Sequence, residues 1–398
     1  MTIMSLKNKK LLVIGAGTAQ AAGIKRAKEL GCHVIAIDGN ADSPGFKFTN
    51  EFEALDFSKV GKVVELAKKK KIDAVMTFCC DAALHSVAEV VEKLSLPGLN
   101  HEMVDRGLNK FNLRKICSVA GIPVPFFAPA YSLEECSEKC GKAGFPCVVK
   151  PMDSSGSRGV TLVNSDCEVR KAYDSAKGHT KSGVLIESFM HGVESSVEGF
   201  VLKDAVHIVT LSDKIRTPPP YLLDTDVIFP SKYIDPLLSD TKSMAVNIMK
   251  SLKLNPTPFH MEVMITPDGP RIVEVGLRGP GFKVFTHIIP KVTGVDVLYA
   301  NIAVSFGINP EINPSNVCAS AIKFIAGKEG IVKSIERVEE VRKMKGVEEI
   351  EIYVKPGDKT RNLTSGADRI GHILVYSDSR ENAVKTADKA AGIIKIGY

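Results

Sequence analysis

The segment 260–281, HMEVMITPDGPRIVEVGLRGPG, admits one local fold: two alternating apolar runs joined by Pro267, Asp268 and Gly269. Proline starts a type I turn and glycine takes positive φ freely, so the three residues make a hairpin loop. A three-residue loop pairs Thr266 with Pro270, and the same register sets Glu262 opposite Glu274. Directly opposed residues of an antiparallel pair have Cβ atoms about 5 Å apart, where two carboxylates repel unless a cation lies between them. Mg²⁺, a hard cation that takes few protein carboxylates and keeps waters beside substrate phosphates, suits that gap. Arg278, four residues beyond Glu274, adds positive charge near the same end. Alone, such a pair reads as a surface hairpin with scattered charges; the remaining sequence argues against that.

At 398 residues the chain has length for two or three domains. Its 44% hydrophobic and 25% charged content is that of an ordinary globular protein, and a net charge of +6 is mild. The basic run 68–71 ends a predicted helix, which reads as a solvated helix terminus rather than a nucleic-acid patch. No apolar stretch reaches membrane-spanning length, and the opening MTIMSLKNKK has no apolar segment before a small-residue cleavage site. These features predict a cytoplasmic protein with neither nucleic acid nor membrane as partner. Nine cysteines fit no zinc or disulfide spacing and read as reduced structural thiols. Metal binding or reactivity at Cys136 and Cys140, or at Cys79 and Cys80, is the lesser reading.

Three stretches follow from the patterning. From 9 to 99, KLLVIGAG, CHVIAID and IDAVMTF alternate with helices, which implies a parallel sheet covered by helices. Gly15-Ala16-Gly17 follows the first strand and Asp38 ends the second, as in a dinucleotide site. Gln20 stands where the third glycine belongs, so a glycine-dependent tight turn is the better reading. The middle stretch, about 109–309, opens with a helix and GIPVP. FPCVVK then predicts a buried strand ending in Lys150. The loop 152–159, with SSGSRG, has small residues that let backbone amides approach phosphate oxygens, or is a plain surface loop. VLIESFMHGVESSVEGFVL carries Glu187 and Glu194 between two strand-like runs. The polar, proline-rich passage 212–240 reads as a long loop, and long loops inside compact domains are often lids. Beyond 311, VCASAIKFIAG, EEIEIYVK and RIGHILVYS predict the strands of a smaller α+β lobe.

Taken in order, Lys110, VVKP at 148–151, SSGSRGV, LIESFMHGVESSVEGF, HMEVMIT and IVEVGLRGPG resemble the ATP-grasp superfamily over nearly the whole chain. The final stretch is similar to the C-terminal domain of L-amino acid ligases. The resemblance implies an α/β ATP-grasp fold with a Rossmann-like domain at 1–108. An ATP-grasp domain at 109–310 would carry a mobile lid at about 120–185, and a C-terminal α+β lobe would occupy 311–398. It implies an ADP-forming carboxylate–amine ligase that works through an acyl phosphate on small-molecule substrates, an amino acid being the acyl donor. ATP with Mg²⁺, or Mn²⁺ in its place, would be the cofactors, and a homodimer is common among proteins of this kind. Lys110 and Lys150 would hold the phosphates, with Ser154, Ser155, Gly156 and Ser157 closing over them. Glu187, Ser188, Phe189 and Met190 would form the hinge that reads adenine, and Glu194 would accept from ribose. Glu262 and Glu274 would hold metal, and Arg278 the transferred phosphate or substrate carboxylate. His260 and His287 lie where a proton could be moved, with a structural role as the simpler reading. The family's asparagine two residues after the second metal glutamate is here Gly276, which leaves open how a second metal is held. Two alternatives stand beside this: a purine-pathway enzyme using formate or bicarbonate, and a nucleotide-binding module without turnover.

Overall fold

The computed structural model describes residues 6–398 except Asp204 and Pro220. The first five residues of the N-terminal segment and one proline of the 212–240 passage therefore lie outside the described residues. Near the N-terminus, β1 (Lys10–Ile14), β2 (His33–Asp38), β3 (Glu51–Ala54) and β4 (Ala74–Met76) form a parallel sheet in the order β3-β2-β1-β4. Between their polar end residues β1 and β2 are apolar and buried, at 11–14 and 34–37, because both sheet faces are covered. β3, EFEA, is a mostly exposed edge strand whose polar residues hid it from the patterning. Asp38 Oδ2 accepts from the Ala16 amide at 2.8 Å and Oδ1 from the Asn40 amide at 2.9 Å. With Gly15 at φ 93°, the glycine turn and Asp38 therefore lock one another, as the tight-turn reading required.

A second, antiparallel sheet has the order β5-β8-β6-β7, from β5 (Phe127–Ala130), β6 (Cys147–Pro151), β7 (Thr161–Val163) and β8 (Val184–Ser188). Its helices Leu133–Ala143 and Val169–Lys177 bury Cys136, Cys140, Ala172 and Ala176 against Cys147, Val149 and Ile186. All nine cysteines are free, and Cys136 and Cys140 pack here as small apolar side chains.

The main sheet uses β9 (Val193–Val201), β10 (Val206–Arg216), β11 (Asp224–Phe229), β12 (Thr257–Thr266), β13 (Gly269–Gly276) and β14 (Ala319–Ala326). The short strands β15 (Gly330–Ile331) and β16 (Ser334–Glu336) follow, then β17 (Val347–Ile352), β18 (Lys359–Thr360), β19 (Arg369–Ser377) and β20 (Lys395–Gly397). β15 pairs with β18 and β16 with β20, while the eight main strands run β13-β12-β9-β10-β11-β14-β19-β17. The pairing of β11 with β14, from Asp226 opposite Lys323 to Phe229 opposite Ser320, carries one sheet across position 310.

The passage 212–240 is not one long loop. β10 runs on to Arg216, β11 begins at Asp224, and the helix Leu237–Leu252 takes up the end. Ser212 and Lys214 are buried polar residues on the inner face of the sheet. An inward polar face removes the apolar alternation by which a strand is recognised. Among the described residues no single helix is long and apolar enough to cross a membrane.

Candidate active site

The hairpin β12–β13 closes one residue tighter than a three-residue loop would. Thr266 lies opposite Gly269, whose φ is 101°, and the Thr266 hydroxyl donates to the Gly269 carbonyl at 2.7 Å. A bulge between Glu262 and Val263 then inserts Val273 and restores Glu262 opposite Glu274. Met261, Val263, Ile265, Ile272 and Val275 go into the core, leaving His260, Glu262, Met264, Val273 and Glu274 facing a chamber of about 350 Å³. The extra residue has a use, because its carbonyl accepts from Arg114 Nη2 at 2.9 Å.

Neighbouring strands aim polar side chains at the same side. Ser196 lies opposite Glu262 and Glu198 opposite His260, and Ser212 follows across from Ser196. Lys214 Nζ reaches Glu194 Oε1 at 2.9 Å and Asp224 Oδ2 at 3.5 Å, and also pairs with Glu262. Arg216 pairs with Glu194 and, through Nε, with Asp224 at 3.4 Å. Burial works against the Lys214 charge, but Asp224, Glu194 and Glu262 outweigh it and hold its pKa well above the usual lysine range. Burial would likewise raise Glu262, yet Lys214 and His260 keep it well below the usual carboxylate range. Glu194 is pushed up, chiefly by burial, with Glu262 and Asp224 adding to it against Lys214 and Arg216. His260 Nδ1 sits 2.8 Å from Glu198 Oε1; although burial disfavours its charge, Glu198 and Glu262 raise it to about 9.

The opposite wall comes from the small sheet and the helix Lys110–Val119. Lys110 and Arg114 are one helical turn apart and so share a face. Lys110 Nζ lies 3.0 Å from Glu274 Oε2 and donates to the Ser154 carbonyl at 2.6 Å, tying helix, hairpin and small-residue loop together. Glu187 is buried between Lys150 Nζ at 2.6 Å and Arg114 Nε at 2.7 Å. Burial would raise Glu187, but Arg114 and Lys150 hold it low. Lys150 itself is lowered, first by burial and then by Arg114 and Lys110, with Glu187 opposing. An anion entering the chamber would push it back up.

Of the residues singled out from sequence, Lys110, Lys150, Ser154, Gly156, Ser157, Glu187, Ser188, Phe189, Met190, Glu194, Glu262, Glu274 and Arg278 line this one chamber. Ser155 is absent from that lining, and its carbonyl accepts from Arg158 Nε at 3.1 Å. The Ser188 and Phe189 amides donate to the carbonyls of Phe126 and Pro146 at 3.1 and 3.3 Å, which ties the segment after β8 to the small antiparallel sheet. Arg278 is held by Asp81, with Nη2 to Oδ2 at 2.5 Å, so the first stretch also contributes to the chamber. A Cβ at Gly276 would lie 2.9 Å from Arg278 Cζ; the guanidinium occupies the space a side chain there would need. His287 lies elsewhere, with Nδ1 2.7 Å from the Thr286 hydroxyl, and burial lowers its pKa.

Residues 143–284 match the ATP-grasp domain. The chain thus carries an ATP-grasp domain within an α/β ATP-grasp fold. Residues 323–398 match L-amino acid ligase C-terminal domain 2. This ATP-grasp chain is 25% identical to the uncharacterised protein y4rH of Sinorhizobium fredii over 84% of its own length and 69% of that protein. It is 21% identical to the formate-dependent phosphoribosylglycinamide formyltransferase of Ignicoccus hospitalis, over 99% of this chain and 98% of that one. The solved L-amino acid ligase from Bacillus licheniformis superposes with a TM-score of 0.85 at 22% identity, covering 98% of this chain and 99% of that one, a likeness of fold.

Sequence reasoning missed several parts of the ATP-grasp chamber. Lys214, Arg216 and Asp224 were hidden in the passage taken for a loop, although Ser212, Lys214 and Arg216 recur at period 2. Arg114 had a signal in its spacing from Lys110. Asp81 and Arg369 reach the site only through tertiary packing; Arg369 Nη2 donates to the Asp224 carbonyl at 2.7 Å.

Proposed function

We propose that the chain is an ATP-dependent carboxylate–amine ligase whose acyl donor is an amino acid with an apolar side chain. The observation that carries this reading is the facing of Glu262, Glu274 and Arg278 against Lys110 and Lys150 around one chamber, with a second cavity behind it. That cavity, about 190 Å³, shares Lys214, Asp224, His260, Glu262 and Arg369 with the first and is walled by Phe282, Val284, Ile322 and Phe324. Ser196 Oγ, Ser212 Oγ and Glu198 Oε2 are buried there without a hydrogen-bond partner. Unpaired buried polar atoms are costly, so a polar ligand that engages them gains correspondingly. Glu198 suits the substrate ammonium, the apolar walls its side chain, and Arg278 its carboxylate.

The donor set fits Mg²⁺: Glu262 and Glu274 are hard oxygen ligands opposed across the hairpin, and Gly276 adds no third side chain. When bound, Mg²⁺ would supply charge neutralisation at the ATP phosphates. Lys110 and Lys150 would hold those phosphates, the loop with Ser154, Ser155, Gly156 and Ser157 would cover them, and the 187–190 hinge would take the adenine. Glu194 would accept from the ribose. With these contacts in place, a carboxylate oxygen of the substrate attacks the γ-phosphorus and the bond to the β-phosphate oxygen breaks, releasing ADP. The amine nitrogen of the second substrate then attacks the acyl carbon, the acyl C–O bond breaks, and phosphate leaves as the nitrogen loses a proton. We place the lid in the sheet β5-β8-β6-β7 within about 120–185, whose closure would exclude water from the acyl phosphate.

The full-length similarity to a formate-dependent formyltransferase favours a second reading, with formate as the carboxylate. Phosphate release should be measured with ATP and Mg²⁺ against pooled amino acids and, separately, formate with glycinamide ribonucleotide, with products identified by mass. ADP, phosphate and a new amide from two amino acids is the expected result. Turnover with formate alone would establish the second reading, and none with any pool would sink both.

A further inference from the structure

Across β14, β19 and β17 the ladders place Phe324, His372 and Glu351 side by side. Glu349 stands two residues before Glu351, so both carboxylates share the sheet face of His372. One ligand atom from each of Glu349, Glu351 and His372 lies within 4.8 Å of the others. His372 is fully buried, and its Nε2 has no hydrogen-bond partner while lying 3.7 Å from Glu349 Oε1. Its Nδ1 lies 2.6 Å from the Tyr353 hydroxyl, which can accept from Nδ1–H and in that tautomer leaves Nε2 as the free electron-pair donor.

We propose that Glu349, Glu351 and His372 bind a first-row divalent cation of the Zn²⁺ class, at a site separate from the nucleotide chamber. One imidazole nitrogen and two carboxylates suit such a cation, whereas Mg²⁺ prefers oxygen throughout. Lys283 now fills the place: its ammonium pairs with Glu349 and lies 3.8 Å from Glu351. Lys283 and Phe282 both sit at positive φ, 59° and 46°, a conformation that costs side-chain-bearing residues energy. The Phe282 ring packs edge-on against His372 at 4.9 Å and Phe324 at 4.7 Å, and it also walls the 190 Å³ cavity. A cation that displaced Lys283 would therefore release one end of the loop that shapes that cavity.

Zn²⁺ binding to the full chain should be measured by competition with a chromophoric chelator, with Mg²⁺ and ADP saturating so that Glu262 and Glu274 are already engaged. The expected result is one equivalent of Zn²⁺ whose affinity falls at least about tenfold in Glu351→Gln, whose target is at the sheet edge and tolerant of change. Tyr353→Phe should weaken the same equivalent, and Lys283→Ala, which removes the competing ammonium, should tighten it. Equal stoichiometry and affinity in the wild type and Glu351→Gln would overturn the proposal. So would the absence of such an equivalent in both the wild type and Lys283→Ala.

Discussion

At Gly276 the absence of a side chain is what makes room for Arg278. A Cβ there would approach the guanidinium to 2.9 Å, and Arg278 is partly buried and held by Asp81, so it cannot swing aside freely. Gly276→Asn should lower phosphate release by about a hundredfold through displacement of Arg278, with little change in ATP affinity. A wild-type rate would show that Arg278 has no part in the reaction. His260 makes a second prediction. Burial opposes its charge, yet Glu198 and Glu262 raise it to about 9, above an unfolded value of about 6.5. The charged ring therefore stabilises the fold fully below pH of about 6.5, and that contribution is lost as pH rises through about 9. Denaturant titrations should give a fall in wild-type stability across this window that His260→Gln lacks. An equal fall in both would assign it to other groups.

On the scale of elements, β10 shows why a strand can look like a loop. Of its inner residues, Lys214 and Arg216 line the chamber and Ser212 the cavity behind it, so the polar positions are the ones that face inward. Lys214 compensates Glu194, Asp224 and Glu262 together. Lys214→Met should destabilise the protein by about 3–5 kcal/mol at neutral pH, because the carboxylates would be left with only Arg216 and His260 to offset them. Glu262 is held low in the wild type, and that stabilisation is lost as pH falls; in the variant the carboxylates protonate more readily. The deficit between the two should therefore shrink as pH is lowered from 7 to 5, as read by chemical denaturation. A deficit independent of pH would contradict the electrostatic account. The hairpin teaches a related lesson: the opposition of Glu262 and Glu274 was legible, but it arises from a tighter turn plus a bulge at Val273, and turn chemistry alone does not reveal a bulge.

For the molecule as a whole, the main sheet joins the hairpin carboxylates at one edge to β14, β19 and β17 at the other. Cutting the chain after residue 318 would strip β11 of its partner β14 and remove both Arg369 and the Arg380–Asp213 pair, which is 2.8 Å long. The truncated protein should lose cooperative thermal unfolding and become susceptible to proteolysis within β10 and β11. A sharp transition would mean that the ATP-grasp part folds independently. By itself the sequence determined the alternating first sheet, the hairpin and its opposed carboxylates, and most of the residues that line the main chamber. Those signals are local: period-2 and period-3.6 patterns, turn residues, and motifs whose spacing is covalent. Only the tertiary structure decided that Asp81 holds Arg278, that Arg114 and Lys150 share Glu187, and that Arg369 comes back from the C-terminal part. Those partners lie far apart in the chain and meet only because sheet order brings their strands and helices together, and buried charges must find partners wherever packing leaves them.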